Sequence, residues 1–459
     1  MKRYILFFCL FSILLASCAN DDHLHVIPKD SVALIAIDGQ QLNSTNGGVE
    51  VLQEVLQVDG LEKSGIDFTS KIYLFETADG TFGLCAKVDD QKDLSRFIEE
   101  KFYPGGRCSK LTERRGYPFT VLDNSWVVGF SSSALLVMGP TGSMEQTQLQ
   151  QRMSKYLDAD EDNSVTAADV YQRMEEMDAP VSMVMQLDAL SEAIATPLMI
   201  GAPKKADASQ IWLSATIVNS DKCLEIAGHT FSLNPKIDEA LKASFNTFRP
   251  ITDKFITKMW QHAIFGLFLN TKGDSLLPIL QANKGIQVLL TGMNTAIDMD
   301  NILRSADGDI AVIVSKYEQE KPVIGLLAQL AHTDWLKDIG YWKQSCPAGT
   351  AIRDNGPQGF VLDLDVSHKG KNIFPFGVND NKIFYGGQFQ QGSELVGGIP
   401  TVEKQLPDAV LSKIKGKKLG LVLTMDALKQ QVGTSIANNI TTMLTPLFGE
   451  VTTIIYTIK

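Results

Sequence analysis

Pro118-Phe119-Thr120-Val121-Leu122-Asp123-Asn124 decides the fold of this chain, because the pattern returns as Pro375-Phe376-Gly377-Val378-Asn379-Asp380-Asn381. Each copy is a short apolar strand that ends in an Asp/Asn turn. A second apolar strand follows each turn and carries a glycine at equal spacing, Gly129 and Gly386. Strand, turn and strand predict a β-hairpin, and the return of this hairpin far along the chain indicates an internal duplication.

Other segments recur in the same order along the two halves of the chain. The matching pairs are 83–86 and 325–328, 185–190 and 423–428, 34–55 and 264–280, and 212–218 and 452–458. Both halves mix hairpins with amphipathic helices. We therefore predict an α+β fold of two diverged modules, 27–240 and 255–459. Each module is expected to hold an antiparallel, hairpin-built sheet with helices packed on one face.

The first 17 residues have the pattern of an export signal. Lys2 and Arg3 precede an apolar run of about a dozen residues, which is too short to span a bilayer. The run ends in Leu15-Ala16-Ser17-Cys18, which resembles the bacterial lipobox. That resemblance implies cleavage of residues 1–17 and acylation of the Cys18 thiol, so that lipid chains bind the protein to the membrane. The alternative is an ordinary secretory signal followed by an incidental cysteine.

Residues 18–26 are predicted to form an acidic tether between the lipid anchor and the fold. Asp21 and Asp22 resemble the acidic surface-export signals of Bacteroidota lipoproteins. This implies an outer-membrane location that extends to the cell surface. The alternative is a solvated linker that happens to be acidic. His23 and His25 lie in the same segment and would either bind a transition metal weakly or stay solvated.

The charge of the chain excludes one class of partner. The formal net charge is -11, and removal of residues 1–17, which carry two positive charges, would leave -13. Binding to nucleic acid depends on Lys and Arg side chains that displace counterions, so we expect no nucleic-acid partner. Anionic lipid headgroups would repel such a chain as well. Attachment to a membrane would then depend on the lipid chains on Cys18.

Four cysteines remain after the signal and Cys18 are set aside: Cys85, Cys108, Cys223 and Cys346. They are far apart and show no Cys/His spacing typical of zinc sites. Cys85 lies in an apolar run and is expected to be a small core residue. A Cys85–Cys108 disulfide is the alternative, because an exported protein meets oxidising conditions.

The acidic run from Asp158 to Asp169 matches a 12-residue calcium loop. The expected ligands are the side chains of Asp158, Asp160, Asp162 and Asp169 and the carbonyl of Ser164. Amphipathic helices are predicted on both sides. Position 6 of the loop is Asn163, where glycine is usual. The alternative is a capping box, Thr166 with Asp169, that follows a solvated acidic loop.

Two further segments carry a family resemblance. Ile27-Pro28-Lys29-Asp30 and Asp162-Asn163-Ser164-Val165 look like an uncharacterised Bacteroidales lipoprotein family whose domain has no known function. The paired layout of hairpins and helices is similar as well. The resemblance implies a fold and a cell-envelope location, and it supplies no catalytic residues.

Catalytic signatures are missing from the sequence: it has no G-x-S-x-G elbow, no P-loop, no Rossmann fingerprint and no S-x-x-K. We therefore expect an envelope-anchored lipoprotein with a non-catalytic binding or assembly role, whose ligand would be a protein or a glycan. The alternative is an envelope hydrolase that acts on glycan or peptide through dispersed carboxylates. A third hypothesis is an adhesion module that depends on calcium in the loop at 158–169.

Three aspartates occupy equivalent places between a strand and a helix: Asp38, Asp188 and Asp426. They are predicted to be helix N-caps, with a repeated acid/base position as the alternative. Trp335 and Trp342 are predicted to pack in the core, the alternative being a surface patch shared with Tyr341.

Overall fold

The computed structural model describes residues 21–46, 60–190, 198–282, 296–318, 321–366, 373–387, 404–431 and 447–458, together with the positions 195, 287, 438, 441, 444 and 445. The chain divides into two compact units, Met1–Met177 and Asp178–Lys459. No helix in these ranges is long and apolar enough to cross a bilayer. The signal at 1–17 and Cys18 lie outside the described residues.

The first unit combines one antiparallel sheet with four α-helices in its described part. Its strands are β1 (Ala33–Ile37), β2 (Ile72–Glu76), β3 (Phe82–Lys87), β4 (Thr112–Arg114), β5 (Tyr117–Leu122), β6 (Trp126–Phe130) and β7 (Ala134–Gly139). Its helices are α1 (Gly39–Asn46), α2 (Gln91–Phe97), α3 (Gln146–Leu157) and α4 (Asp169–Glu175).

The strands of the first unit pair in the order β1-β2-β3-β7-β6-β5-β4, and all neighbours are antiparallel. The turn between β5 and β6 is made by Asp123 and Asn124, both with positive φ. Two consecutive residues of this kind favour the hairpin turn that matches strand twist. The predicted hairpin at 118–130 is therefore confirmed.

Helical segments cover both faces of this sheet. On one face, Ala86, Val128 and Leu135 form a core with residues of α2 and of the π-helical turn Ile98–Phe102. On the other face, α3 packs against β5, β6 and β7. The expectation that helices would cover only one face is therefore wrong for this unit. Strands such as β7 show why, because they are apolar along almost their whole length.

The second unit has twelve strands and six α-helices in its described part. The strands are β8 (Val181–Gln186), β9 (Trp212–Ser220), β10 (Cys223–Phe231), β11 (Phe265–Lys272), β12 (Ala306–Glu318), β13 (Lys321–Leu330), β14 (Ala351–Asp354), β15 (Gly359–Asp363), β16 (Ile373–Val378), β17 (Ile383–Gly387), β18 (Leu419–Thr424) and β19 (Thr453–Ile458). The helices are α5 (Pro235–Phe245), α6 (Gly273–Ala282), α7 (Met299–Arg304), α8 (Ile339–Ser345), α9 (Asp408–Ile414) and α10 (Met425–Gln431).

These strands pair in the order β8-β9-β10-β19-β18-β11-β12-β13-β17-β16-β15-β14. All neighbours are antiparallel except β10 and β19, which run parallel from Cys223 opposite Thr453 to Ala227 opposite Thr457. This pairing joins residues of the predicted first module to the end of the chain. The compact units accordingly divide at Met177 and Asp178, and not between 240 and 255.

The sheet of the second unit is also covered on both faces. One core contains Phe268, Ile313 and Val422 with residues of α9, and another contains Leu330, Trp335 and Phe384 with residues of α7 and α8. Every residue of β17 is buried, as expected of a strand between two packed layers. The prediction of mixed helix and antiparallel sheet is confirmed, and the single helical face is wrong here too.

The two repeated hairpins occupy different places in their sheets. The 118–124 segment leads from β5 to β6, and β3 pairs with the following strand, β7. The 375–381 segment leads from β16 to β17, and β17 itself pairs with β13. The first hairpin thus precedes the strand that pairs with β3, whereas the second hairpin ends in the strand that pairs with β13. The two matching segments therefore differ in position by one strand. Residues 83–86 lie in β3, which pairs with β7, and residues 325–328 lie in β13, which pairs with β17.

Candidate membrane-attachment site

The described chain begins with a segment that packs into the first unit. Residues Asp22–Val26 form a 3₁₀ helix, whose first turn is closed by the Leu24 amide donating to the Asp21 carbonyl at 2.8 Å. His23, Leu24, Val26 and Ile27 are buried, and Asp21 and Asp22 are exposed. The predicted tether is therefore corrected: residues 22–26 belong to the fold. Asp22, His23 and His25 are polar, so the sequence of this segment gives little indication that it is buried.

Hydrogen bonds fix this N-terminal segment to β3 and to the loop before α4. The Cys85 thiol donates to the carbonyl of His23 at 3.1 Å. The amide of Val165 donates to the carbonyl of Ile27 at 2.9 Å. Full burial of a side chain such as Leu24 stabilises the packed state by about 1.5–3 kcal/mol. The segment is thus an integral part of the hydrophobic core.

A cluster of polar side chains lies beside the segment. Tyr73 on β2 and Tyr171 on α4 are buried and joined by a hydrogen bond, and Tyr171 bonds Glu175 in turn. Burial, with Tyr171 and Glu175 nearby, raises the pKa of Tyr73 well above its usual range. Burial also raises the pKa of Tyr171. Both phenols stay neutral at physiological pH, so they act as hydrogen-bonding groups that join β2 to α4.

Asp21 lies close to this cluster. The ring of His23, two residues after Asp21, lies 6.2 Å from the ring of Tyr73, and Lys71, which directly precedes β2, lies 3.9 Å from Glu175 at the end of α4. The N-terminal segment therefore lies beside the start of β2 and the end of α4. The roles predicted for Cys18 in acylation and for Asp21 and Asp22 in export stay predictions.

The acidic loop at 158–169 has helices on both sides, α3 and α4, as predicted. Its backbone forms two 3₁₀ turns, Glu161–Asn163 and Val165–Ala167. Asp160 caps the first turn by accepting from the amide and the side chain of Asn163. The carbonyl of Ser164, which was expected to bind calcium, accepts from the amide of Ala167 at 3.2 Å. Two expected ligands thus already have partners within the loop.

Calcium binding by this loop stays a prediction, whereas the predicted capping box is wrong. Helix α4 begins after Ala168, which has no capping side chain, and the Thr166 hydroxyl bonds that of Ser164 at 2.6 Å. The capping box is therefore absent. Asp158, Asp162 and Asp169 are exposed. Across the described ranges, no group of three or more His, Cys, Asp or Glu side chains is arranged to hold a metal ion.

Comparison with known proteins places the chain in a family. A family model described as a domain of unknown function, DUF4836, matches residues 46–391.

The chain belongs to the DUF4836 family.

The match begins after the N-terminal segment and ends after β17, so it spans most of both sheets. Among solved structures, "Structure of crystal form I of TP0453" is similar over 76% of this chain and 92% of that chain, with 11% identity and a TM-score of 0.24. That similarity is too low to carry a structural argument. No curated protein matches the chain.

The cysteines of this DUF4836 protein are separate thiols. Cys85, Cys108 and Cys223 are buried and Cys346 is half-buried, and all four are free. Cys85 points toward the N-terminal segment, whereas Cys108 belongs to the core under α2. These two positions lie on opposite faces of the sheet, so the Cys85–Cys108 disulfide considered from the sequence is wrong.

The three strand-end aspartates differ in their contacts. Asp38 accepts from the amides of Gln40 and Gln41 and from the Gln41 side chain, so its predicted role as an N-cap is confirmed. Asp188 and Asp426 are exposed, and they lie in a 3₁₀ turn and in the first turn of α10. The structure does not bring these carboxylates together as an acid/base group in either unit.

Two tryptophans pack in the core of the second unit, and three histidines lie at the surface. Trp335 and Trp342 are stacked in the core with ring centroids 6.0 Å apart, as predicted, and Tyr341 is exposed. His229, His262 and His332 are exposed, and His332 lies 3.1 Å from Asp334. His368 lies outside the described residues.

Sequence reasoning missed a buried carboxylate in the second unit. Asp309 on β12 accepts from the side chain of Asn270 at 2.7 Å and from the amide and hydroxyl of Thr252. It thereby fixes the segment that leads into β11. The signal was present in the sequence, because an aspartate at the edge of the apolar run Ile310–Val314 needs partners when that strand is buried.

Proposed function

We propose that this protein is a lipid-anchored protein of the cell envelope, attached through Cys18, with a non-catalytic role in binding or assembly at the outer membrane. The observation that carries the proposal is the packed N-terminal segment. Asp21 and the buried residues that follow it belong to the first unit, and only Ala19 and Asn20 separate Asp21 from the lipobox-like cysteine along the chain. A lipid on Cys18 would hold that unit at a membrane.

The charge of the protein supports attachment by lipid. A net charge of -11 gives no attraction to anionic headgroups. One acyl chain gives only marginal, reversible binding, so stable attachment requires two or more chains. Asp21 and Asp22 are exposed, which leaves them accessible to an export system. This accessibility supports the proposed location at the cell surface.

The strand order supports the proposal that the chain contains two diverged copies of one module. The first unit has the order β1-β2-β3-β7-β6-β5-β4, and the second contains the order β11-β12-β13-β17-β16-β15-β14. In both series the fourth to seventh strands in chain order form a meander, and the seventh strand pairs with the third. We propose that duplication gave a larger folded surface for a protein or glycan ligand.

Several aspartates have a lowered pKa, which supports a structural role for these carboxylates. A general acid needs a raised pKa, whereas hydrogen bonds lower the pKa of Asp79, Asp90, Asp123, Asp207 and Asp334. For Asp67, burial opposes ionisation, but hydrogen bonds from Thr69 and Ser70 outweigh it and lower the pKa to about 2. These ionised side chains hold turns and helix ends.

The anchoring proposal is tested by intact-protein mass spectrometry and membrane fractionation. We expect the full chain, produced in a bacterial host, to carry acyl mass on Cys18 and to sediment with membranes. Cys18→Ala should lose both properties, and Cys346→Ala, the matched control, should keep both. Membrane association of Cys18→Ala at the native level would overturn the proposal.

The non-catalytic role needs its own test. Purified protein is assayed against a broad panel of glycan and peptide hydrolase substrates. We expect no turnover above that of a heat-denatured sample. Turnover that disappears on a single carboxylate substitution would favour an envelope hydrolase in place of a binding role.

A further inference from the structure

We propose that one defined face of the first unit lies against zwitterionic lipid headgroups. We call it the exit face, and it consists of Asp21, Asp22, Lys71 and Glu175. The inference rests on the proposed acylation of Cys18 and adds the orientation of the anchored protein. It follows from the length of chain between Cys18 and the first packed residues.

The covalent distance is short. Three peptide units separate Cys18 from Asp21, and consecutive Cα atoms are 3.8 Å apart, so the two Cα atoms lie at most about 11 Å from each other. The headgroup region of one leaflet is about 5–8 Å thick. An acylated Cys18 at the membrane surface therefore keeps Asp21 within a few ångströms of the outer limit of the headgroups.

The N-terminal segment cannot lengthen this connection while the unit stays folded. Release of residues 22–27 would expose Leu24, Val26 and Ile27, which are buried. It would also break the hydrogen bonds to Cys85 and Val165. The fold itself thus sets the length of the connection.

The neighbours of Asp21 define the exit face. Asp21 closes the first turn of the 3₁₀ helix, and the ring of His23 in that helix lies 6.2 Å from the ring of Tyr73 on β2, which in turn hydrogen-bonds Tyr171 on α4. Lys71 and Glu175 lie at the same place, and their side chains are 35% and 43% exposed. The opposite face of the sheet is covered by α2 and the turn Ile98–Phe102, where Lys101 is exposed.

The charges of the exit face favour neutral or zwitterionic headgroups. Asp21, Asp22 and Glu175 carry three negative charges against the single positive charge of Lys71. Charges closer than the Debye length, about 8 Å at physiological salt, are not fully screened. Anionic lipids would therefore repel this face, whereas phosphatidylcholine and phosphatidylethanolamine carry no net charge and would not repel it.

The test measures how close two sites on the first unit come to the headgroups. Full-length, acylated protein carries Cys346→Ser, so that its half-buried thiol is not labelled. A fluorophore is then attached at Lys71→Cys or at Lys101→Cys, with Glu175→Cys as a second position on the exit face. The proteins are reconstituted in phosphatidylcholine vesicles that contain headgroup-nitroxide lipids, which quench at short range.

We expect several-fold stronger quenching at positions 71 and 175 than at position 101. Insertion of a flexible linker of about 20 Gly/Ser residues before Asp21, with an r.m.s. span of about 25 Å, should remove that difference. Equal quenching at all three positions in protein with acyl mass on Cys18 would overturn the orientation alone. Absence of acyl mass would overturn the anchoring, and with it this inference.

Discussion

The thiol of Cys85 donates a hydrogen bond to the carbonyl oxygen of His23, and the two atoms are 3.1 Å apart. The residues are 62 positions apart in the chain. Their contact joins the N-terminal segment to the middle of β3. Because His23 lies in the 3₁₀ helix, this bond and the buried side chains beside it hold the segment at 22–27 in the first unit.

The packed N-terminal segment should contribute strongly to stability. Leu24 is fully buried, and truncation of a buried leucine leaves a cavity as well as lost transfer energy. We expect Leu24→Ala to lower the free energy of unfolding by about 2–5 kcal/mol in denaturant titrations. Met144→Ala is the control, because Met144 is 92% exposed. Equal stability of the two variants would contradict the packing of this segment.

The thiols should differ in reactivity. Burial raises the pKa of Cys223 to about 11 and that of Cys85 further, whereas Cys346 is only half-buried. Because the thiolate is the reactive form, we expect alkylation of Cys346 well before that of the buried thiols at pH 8. Peptide mapping without reductant measures this order. A Cys85–Cys108 cross-linked peptide would contradict the separate positions of these thiols.

Asp160 should stabilise its loop through the cap on Asn163. Loss of such a cap costs about 0.5–2 kcal/mol, so Asp160→Ala should lower stability by that amount with calcium and with EDTA alike. Asp162→Ala is the matched control, because the contact of Asp162 with Lys29 uses its backbone oxygen. We expect a smaller effect there. A calcium-dependent rise in melting temperature that both substitutions abolish would instead support the calcium site.

The lowered pKa of Asp67 predicts a pH dependence of stability. Its pKa falls from 3.8 to about 2 on folding, so its ionised form stabilises the native state above pH 4, and that contribution disappears as the pH falls toward 2. The shift corresponds to about 2 kcal/mol at neutral pH. Asp67→Asn should be less stable than the native protein at pH 6, and the difference should shrink toward pH 2. Unfolding titrations across this range give the measurement, and a constant difference would refute it.

Two aspartates on β12 should differ sharply in their effect. Asp309 is buried and accepts from Thr252 and Asn270, so Asp309→Ala leaves buried donors without partners and should cost at least about 2 kcal/mol. Asp307 pairs with Arg249 at a partly exposed site, and Asp307→Ala should cost less than about 1 kcal/mol. Parallel denaturant titrations compare the two variants. Similar losses would show that the hydrogen bonds of Asp309 contribute little to the free energy of unfolding.

Local features of the fold could be predicted from the sequence. The turn at Asp123 and Asn124, the Asp38 cap and the helices on both sides of the acidic loop each depend on residues a few positions apart. Propensity and hydrophobic spacing report such short-range relations directly. At the candidate site, the acylation of Cys18 stays a prediction, and the burial of residues 22–27 was not predicted.

The sequence by itself determined the mixture of hairpins and amphipathic helices and the net negative charge. Only the tertiary structure decided that residues 22–27 are buried, that β10 pairs with β19 and that both faces of each sheet are covered. The physical reason is distance along the chain. A residue's own neighbours fix its backbone preference, whereas its burial depends on partners that lie far away in sequence and meet it only when the chain folds.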